Sequence, residues 1–135
     1  MKTTTSSEVT VGQQLPELVV DVTATLIVSG ALASRDYQDV HHDTELARAA
    51  GAEDVFMNIL TTNGLVGRFV TDWAGPNATL KKVAIRLGVP NYPGDRMRMT
   101  GTVTRKDGDE VEVDVRGTNR LGDHVTGTVT LELPA

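Results

Sequence analysis

Apolar positions along this chain follow one period in its first half and another in its second. Residues 22–28, VTATLIV, form a run of β-branched and aliphatic side chains between Asp21 and the Ser29-Gly30 pair, which predicts a first strand. Residues 43–51, DTELARAAG, predict a short helix, with Asp43 capping its N-terminus and Gly51 in the left-handed position after its end. From Phe56 to Trp73 the residues Phe56, Ile59, Leu60, Val66, Val70 and Trp73 recur at three- and four-residue intervals, the period of one helix face. Gly64 and Gly67 inside that stretch each cost about 1 kcal/mol relative to Ala, so a close approach of the backbone to a sheet or ligand is the expected reason for them. Beyond Trp73 the period shortens to two. Val83, Ile85, Leu87 and Val89 alternate with more polar neighbours, as do Met97 to Val103, Val111 to Val115 and Val125 to Leu133. The segments between these runs, PNYPGD at 90–95, the turn at Asp107-Gly108 and NRLGD at 119–123, carry turn residues, and an antiparallel meander of four strands is expected.

One strand, a long helix and a run of strands describe an α+β domain whose antiparallel sheet covers its apolar face with the helix. A length of 135 residues is that of one domain, and residues 15–135 are expected to form it. The opening MKTTTSSEVTVGQQ has no apolar run after Lys2, so residues 1–14 read as a flexible tail and not as a signal peptide or anchor. The absence of cysteine removes disulfides, thiolate nucleophiles and zinc-thiolate sites, and fits a reducing cytoplasm. With a formal charge of −5 and scattered Lys and Arg, the chain has no electrostatic footprint for nucleic acid. Arg68 and Asp72 exclude a membrane span from the long helix.

The chemistry-bearing residues concentrate in SRDYQDVHHD, residues 34–43, which holds two of the chain's three histidines. Taken alone, Asp36 is equally a turn residue or a base, and His41 equally a structural histidine or an acid–base group. His42 follows His41 and points the other way if the chain is extended, so a structural role is expected for it. Asp39 is expected to be solvated and Asp43 to cap. Consecutive residues such as His41, His42 and Asp43 rarely converge on one ion, and no metal is expected. His124 falls among polar strand positions and is expected at the surface; Trp73 is expected in the core. Lys81, Lys82 and Arg86 could meet the phosphates of coenzyme A but read first as a solvated face.

Asp36, four intervening residues and His41, ahead of an Ala-rich helix, resemble the motif of the MaoC-like enoyl-CoA hydratases. PNYPGD at 90–95 resembles that family's Pro and Gly-Asp strand entry, and NRLGDHVTGTVTL at 119–131 its closing hairpin, so the resemblance covers roughly residues 15–133. Within the family the RDYQDVHHD stretch and the NILTTNGLVGRFVTDWAGP helix are most similar to small actinobacterial subunits of heteromeric steroid side-chain hydratases. The resemblance implies a hot-dog fold, in which an antiparallel sheet wraps around one long central helix. It also implies a steroid-derived CoA thioester as substrate, no separate cofactor, Asp36 and His41 as the catalytic pair, and a larger MaoC-like subunit as partner, or otherwise a homodimer. The family commonly places His-Gly at the start of the central helix where this chain has FMNIL, so Asn58 is the candidate oxyanion or substrate-binding residue, through its backbone or its side-chain amide.

Hydrating an α,β-unsaturated thioester requires a base for the attacking water and a donor for the α-carbon, and a carboxylate beside an imidazole supplies both. Two other readings remain at this level. A hot-dog thioesterase would use an acid on the central helix, where Asp72 is the sole candidate, near the unfavourable end of the dipole. A non-catalytic partner subunit would have no chemical need for the Asp36 and His41 pair.

Overall fold

The computed structural model describes residues 2–135 and contains five strands and three α-helices: β1 Leu18–Asp21, α1 Ala24–Ala33, α2 Thr44–Ala49, α3 Ile59–Ala74, β2 Thr79–Leu87, β3 Arg96–Asp107, β4 Glu110–Asn119 and β5 Gly122–Glu132. The long apolar period folds as expected, three residues later than its first apolar position. Thr62, Val66, Phe69, Val70 and Ala74 form the buried stripe of α3. Opposite them lie Met97, Met99, Val103, Val111, Val113, Val129 and Leu131 of β3 to β5, the alternating side chains of one sheet face. Residues 55–57 precede the helix and its Asn58 cap, and their backbone bonds elsewhere, Phe56 N–H to Val40 O and Met57 N–H to Asn91 O.

The sheet is antiparallel throughout, in the order β1-β3-β4-β5-β2. Only β3, β4 and β5 form a meander. β2 pairs with β5 at the far edge, so PNYPGD is a crossing connection and not the hairpin turn expected from its composition. Val83 and Ile85 of β2, at the edge of the sheet, are half-buried and Leu87 is exposed.

The expected strand at 22–28 is a helix. Its register begins at Thr23, whose hydroxyl accepts the Leu26 N–H, and the strand that pairs with β3 ends just before, at Asp21. Ile27 and Ala31, one turn apart, are fully buried, so packing decides against the β-propensity of the run. α1 approaches α3 so closely at Gly30 that a Cβ there would collide with Thr61. Gly64 and Gly67, by contrast, have no crowded neighbour: nothing lies within 4 Å of a Cβ at Gly64, and Leu80 is 3.9 Å from one at Gly67. The close approach to the sheet is made at Gly101 of β3, where a Cβ would lie 2.9 Å from the Phe69 ring.

The N-terminal segment is packed, contrary to the tail expected from its polarity. Thr4 bonds the last turn of α3 through Ala74 O and Trp73 O, the Ser6 hydroxyl donates to Asp109, Lys106 donates to the carbonyls of Ser6 and Val9, and Val9 is 1% exposed. No described helix is long and apolar enough to cross a membrane.

Candidate functional site

Asp36 and His41 arrive at one point from two local devices. α1 ends in a Schellman turn: Arg35 N–H donates to Leu32 O and Asp36 N–H to Ala31 O, with Arg35 at φ 57° where glycine is usual. That turn fixes the Asp36 backbone relative to α1. Residues 39–41 then form a short 3-10 turn that delivers His41. Asp36 Oδ2 lies 3.3 Å from His41 Nε2, with the two side chains 17% and 7% exposed.

The imidazole is oriented from behind. His41 Nδ1 donates to Phe56 O at 2.7 Å, and the Phe56 ring meets the imidazole edge-on, 5.0 Å between centroids. With Nδ1 so engaged, Nε2 is the atom left to exchange protons, and it is the one that faces the carboxylate. The carbonyl of Phe56 is available because α3 starts only at Ile59.

Asn58 caps α3, accepting Thr61 N–H at 3.0 Å and Thr61 Oγ1–H at 2.6 Å. Its amide donates to Ser34 Oγ at 3.0 Å and to Asp36 Oδ2 at 3.1 Å. The side chain is 2% exposed with both ends engaged, so it is not the free amide donor considered from the sequence. Of the four N–H groups that the start of an α-helix leaves without an intrahelical backbone partner, that of Thr61 is met by the Asn58 cap, and those of Asn58, Ile59 and Leu60 remain. The Asn58 hydrogen bond is the largest influence on the Asp36 carboxyl and holds it below the ordinary carboxylate range; partial burial opposes this, and the Gln38 N–H and His41 assist it.

The remaining histidines separate. His42 Nε2 lies 3.8 Å from the exposed Asp39, and Asp43 caps α2 through Leu46 N–H. Among the described residues no three His, Asp or Glu side chains are placed to hold a metal ion. His124, expected at the surface, is 2% exposed: its Nδ1 donates to Val89 O at 2.7 Å and its Nε2 accepts from Thr62 at 2.8 Å, while burial lowers its pKa. It lines an apolar pocket of about 270 Å³ with Phe56, Met57, Leu87, Val89 and Tyr92. Trp73 packs partly buried against the core, Lys81 pairs with Glu132, and Lys82 and Arg86 are exposed. Phe56, Ser34 and Thr61 were not legible as site residues, since a backbone carbonyl and two common hydroxyls carry no sequence signature.

Residues 6–124 match the MaoC-like domain family. The chain is 54% identical over 123 residues to the 3-oxo-4,17-pregnadiene-20-carboxyl-CoA hydratase beta subunit of Mycobacterium tuberculosis, covering 91% of this chain and 95% of that one. A chain in the crystal structure of the ChsH1–ChsH2 complex from the same organism superimposes with a TM-score of 0.90 at 53% identity, covering 92% of this chain and 98% of that one. The unliganded R-hydratase PhaJ1 of Pseudomonas aeruginosa, at 22% identity, superimposes with a TM-score of 0.85 over 96% of this chain and 85% of its own, a likeness of fold. The five-stranded antiparallel sheet on a central helix is thus the hot-dog fold, and the chain belongs to the MaoC-like domain family.

Proposed function

We propose that this chain is the catalytic subunit of a heteromeric enoyl-CoA hydratase that adds water across the conjugated double bond of a steroid side-chain CoA thioester, with Asp36 and His41 as its acid–base pair. The observation that carries the reading is the approach of Asp36 Oδ2 to His41 Nε2 at 3.3 Å, with Nδ1 tied to Phe56 O. The substrate class and the presence of a partner subunit are supported by the relative named as a steroid CoA hydratase beta subunit and by the similar chain in a two-protein complex, and the larger size of that partner is what the family resemblance implies.

In this mechanism the Asp36 carboxylate, kept ionised by Asn58, takes a proton from a water molecule as its oxygen attacks the β-carbon. His41, carrying a proton on Nε2, delivers it to the α-carbon. The proton gained by Asp36 then passes to Nε2 across their contact, which restores both groups. The negative charge that develops on the thioester oxygen calls for N–H donors, and the start of α3 offers those of Ile59 and Leu60. A thioesterase reading draws no support: Asp72 lies at the opposite end of α3, exposed and paired with Arg68 at 3.3 Å.

Hydration is read as loss of the absorbance of the conjugated thioester without release of thiol, using the chain together with a larger MaoC-like subunit. Asp36→Asn and His41→Ala should each lower kcat by about 10² or more at unchanged folding, and His42→Ala far less. Near-wild-type rates in both single variants, or thiol release in place of hydration, would refute the assignment.

A further inference from the structure

We propose that Asn58 is a positioning residue for the acid–base pair, one amide that joins the start of α3, the end of α1 and the Asp36 carboxylate into a single rigid corner. The inference rests on the reading of Asp36 as the base and assigns Asn58 a role other than thioester contact.

An asparagine side chain offers two N–H donors and one carbonyl oxygen with two lone pairs. Here all are used: the donors go to Ser34 Oγ and Asp36 Oδ2, and the oxygen accepts from Thr61 N–H and Oγ1–H. The partners also fix which end is which. A flipped amide would put its oxygen against the Asp36 carboxylate and its NH2 against the Thr61 N–H, so only one orientation is compatible with them. Ser34 in turn donates to Gly30 O at 2.7 Å, in the last turn of α1, and it is at Gly30 that α1 meets Thr61. Asn58 therefore bonds at the point where the two helices touch.

Asp36 depends on this amide more than on any other donor. Among the described residues its second oxygen receives only the Gln38 N–H, at a long 3.4 Å. Asp36 is carried by the end of α1, whereas His41 is held by Phe56, two residues before α3 begins at its cap. The separation of base and acid is then set by how α1 sits on the start of α3, and Asn58 is the side chain that bridges them while holding the carboxylate. A charged acceptor fixed by a buried donor is both oriented and kept ionised.

Capping and positioning separate by substitution. Asn58→Ser keeps an oxygen for the Thr61 N–H but is too short to reach Asp36. Asn58→Asp keeps the cap and the shape but sets an acceptor, and a second negative charge, against Asp36. Two readouts are taken, with Asp36→Asn as reference. One is the Asp36 carboxylate titration by carbon-13 NMR in the purified full chain. The other is the pH dependence of hydration of 3-oxo-4,17-pregnadiene-20-carboxyl-CoA by the chain in complex with a larger MaoC-like subunit.

Both variants should lose about 10- to 100-fold in kcat with KM changed less than about threefold, less than removal of the carboxylate itself costs. The Asp36 titration and the acidic limb of kcat/KM should both move to higher pH. An inactive Asp36→Asn beside an Asn58→Ser with wild-type kcat would overturn the positioning role while leaving the base in place. A fall in kcat with an unmoved Asp36 titration and acidic limb would overturn it as well, since that is what a purely structural cap would give. Full activity in Asp36→Asn would instead refute the underlying assignment of the base, and with it the role of Asn58.

Discussion

His124 shows what burial does to a single titratable residue. Both ring nitrogens are engaged, Nδ1 as donor to Val89 O and Nε2 as acceptor from Thr62, so the neutral ring satisfies its surroundings. Desolvation pushes its pKa down from the ordinary 6.5, against the backbone hydrogen bond and the charge of Asp95. The unfolded chain therefore binds a proton on this ring at a pH where the folded chain does not. Its contribution to stability is whole above the unfolded value and is lost as pH falls through the depressed folded value. Denaturant unfolding between about pH 7.5 and about pH 5.5 should show stability falling toward acid, and His124→Gln should remove that part of the slope. A slope unchanged in the variant would show that other groups produce it. Neither the alternation of β5 nor the turn at 119–123 reveals this, because the position looks polar whether a helix hydroxyl awaits it or water does.

Between elements, the approach of α3 to the sheet and of α1 to α3 depends on missing side chains. Gly101 lets the Phe69 ring lie against β3, and a Cβ there would sit 2.9 Å from Phe69 Cε1 and 3.2 Å from Val113 Cγ1. Gly101→Ala should destabilise by about 1–3 kcal/mol by overpacking a core with no slack, measurable as a lower denaturation midpoint at unchanged m-value. Gly64→Ala, on the open side of the same helix, should not destabilise and gains helix propensity of about 1 kcal/mol. Equal effects at the two positions would contradict the packing assigned to them. Sequence reasoning identified the helical glycines as the crowded ones. A helix interior flags any glycine as costly, but the crowding arises in a strand and at the α1–α3 crossing, where local pattern gives no warning.

At the scale of the whole molecule, β2 is a nine-residue edge strand. Its apolar side chains Val83, Ile85 and Leu87 are only partly covered within this chain, and among the described residues no strand lies beside its outer backbone. Such an edge calls for a neighbour. The opposite edge, β1, has four residues and is far less demanding. On assembly with a larger MaoC-like subunit the amides of β2 should gain protection from hydrogen exchange while those of β1 change little. The isolated chain should run as a homodimer by light scattering and hydrate the steroidal thioester poorly, because an identical copy presents its own α1, α2 and motif where a rigid ring system needs room. Full activity of the isolated chain would overturn the heteromer and leave the hydratase reading untouched.

What the sequence determined by itself is what neighbours along the chain control. The two-residue alternation of β2 to β5, the stripe of α3, the Asp43 cap and the Asp36 to His41 spacing all follow from the geometry of a residue and its next few neighbours. The tertiary structure decided what depends on partners far along the chain. VTATLIV became helix because Ile27 and Ala31 found a buried surface, β2 moved to the far edge because β5 took it as partner, and the polar first residues packed because the end of α3 and the β3–β4 turn offered them hydrogen bonds. The contact between Asp36 and His41 divides the same way: its members and spacing are local, but Phe56 and Asn58, which hydrogen-bond to them, lie 15 and 22 residues from the groups they hold. Hydrogen-bond partners at that distance are selected by how helices pack, and packing is a property of the folded chain alone.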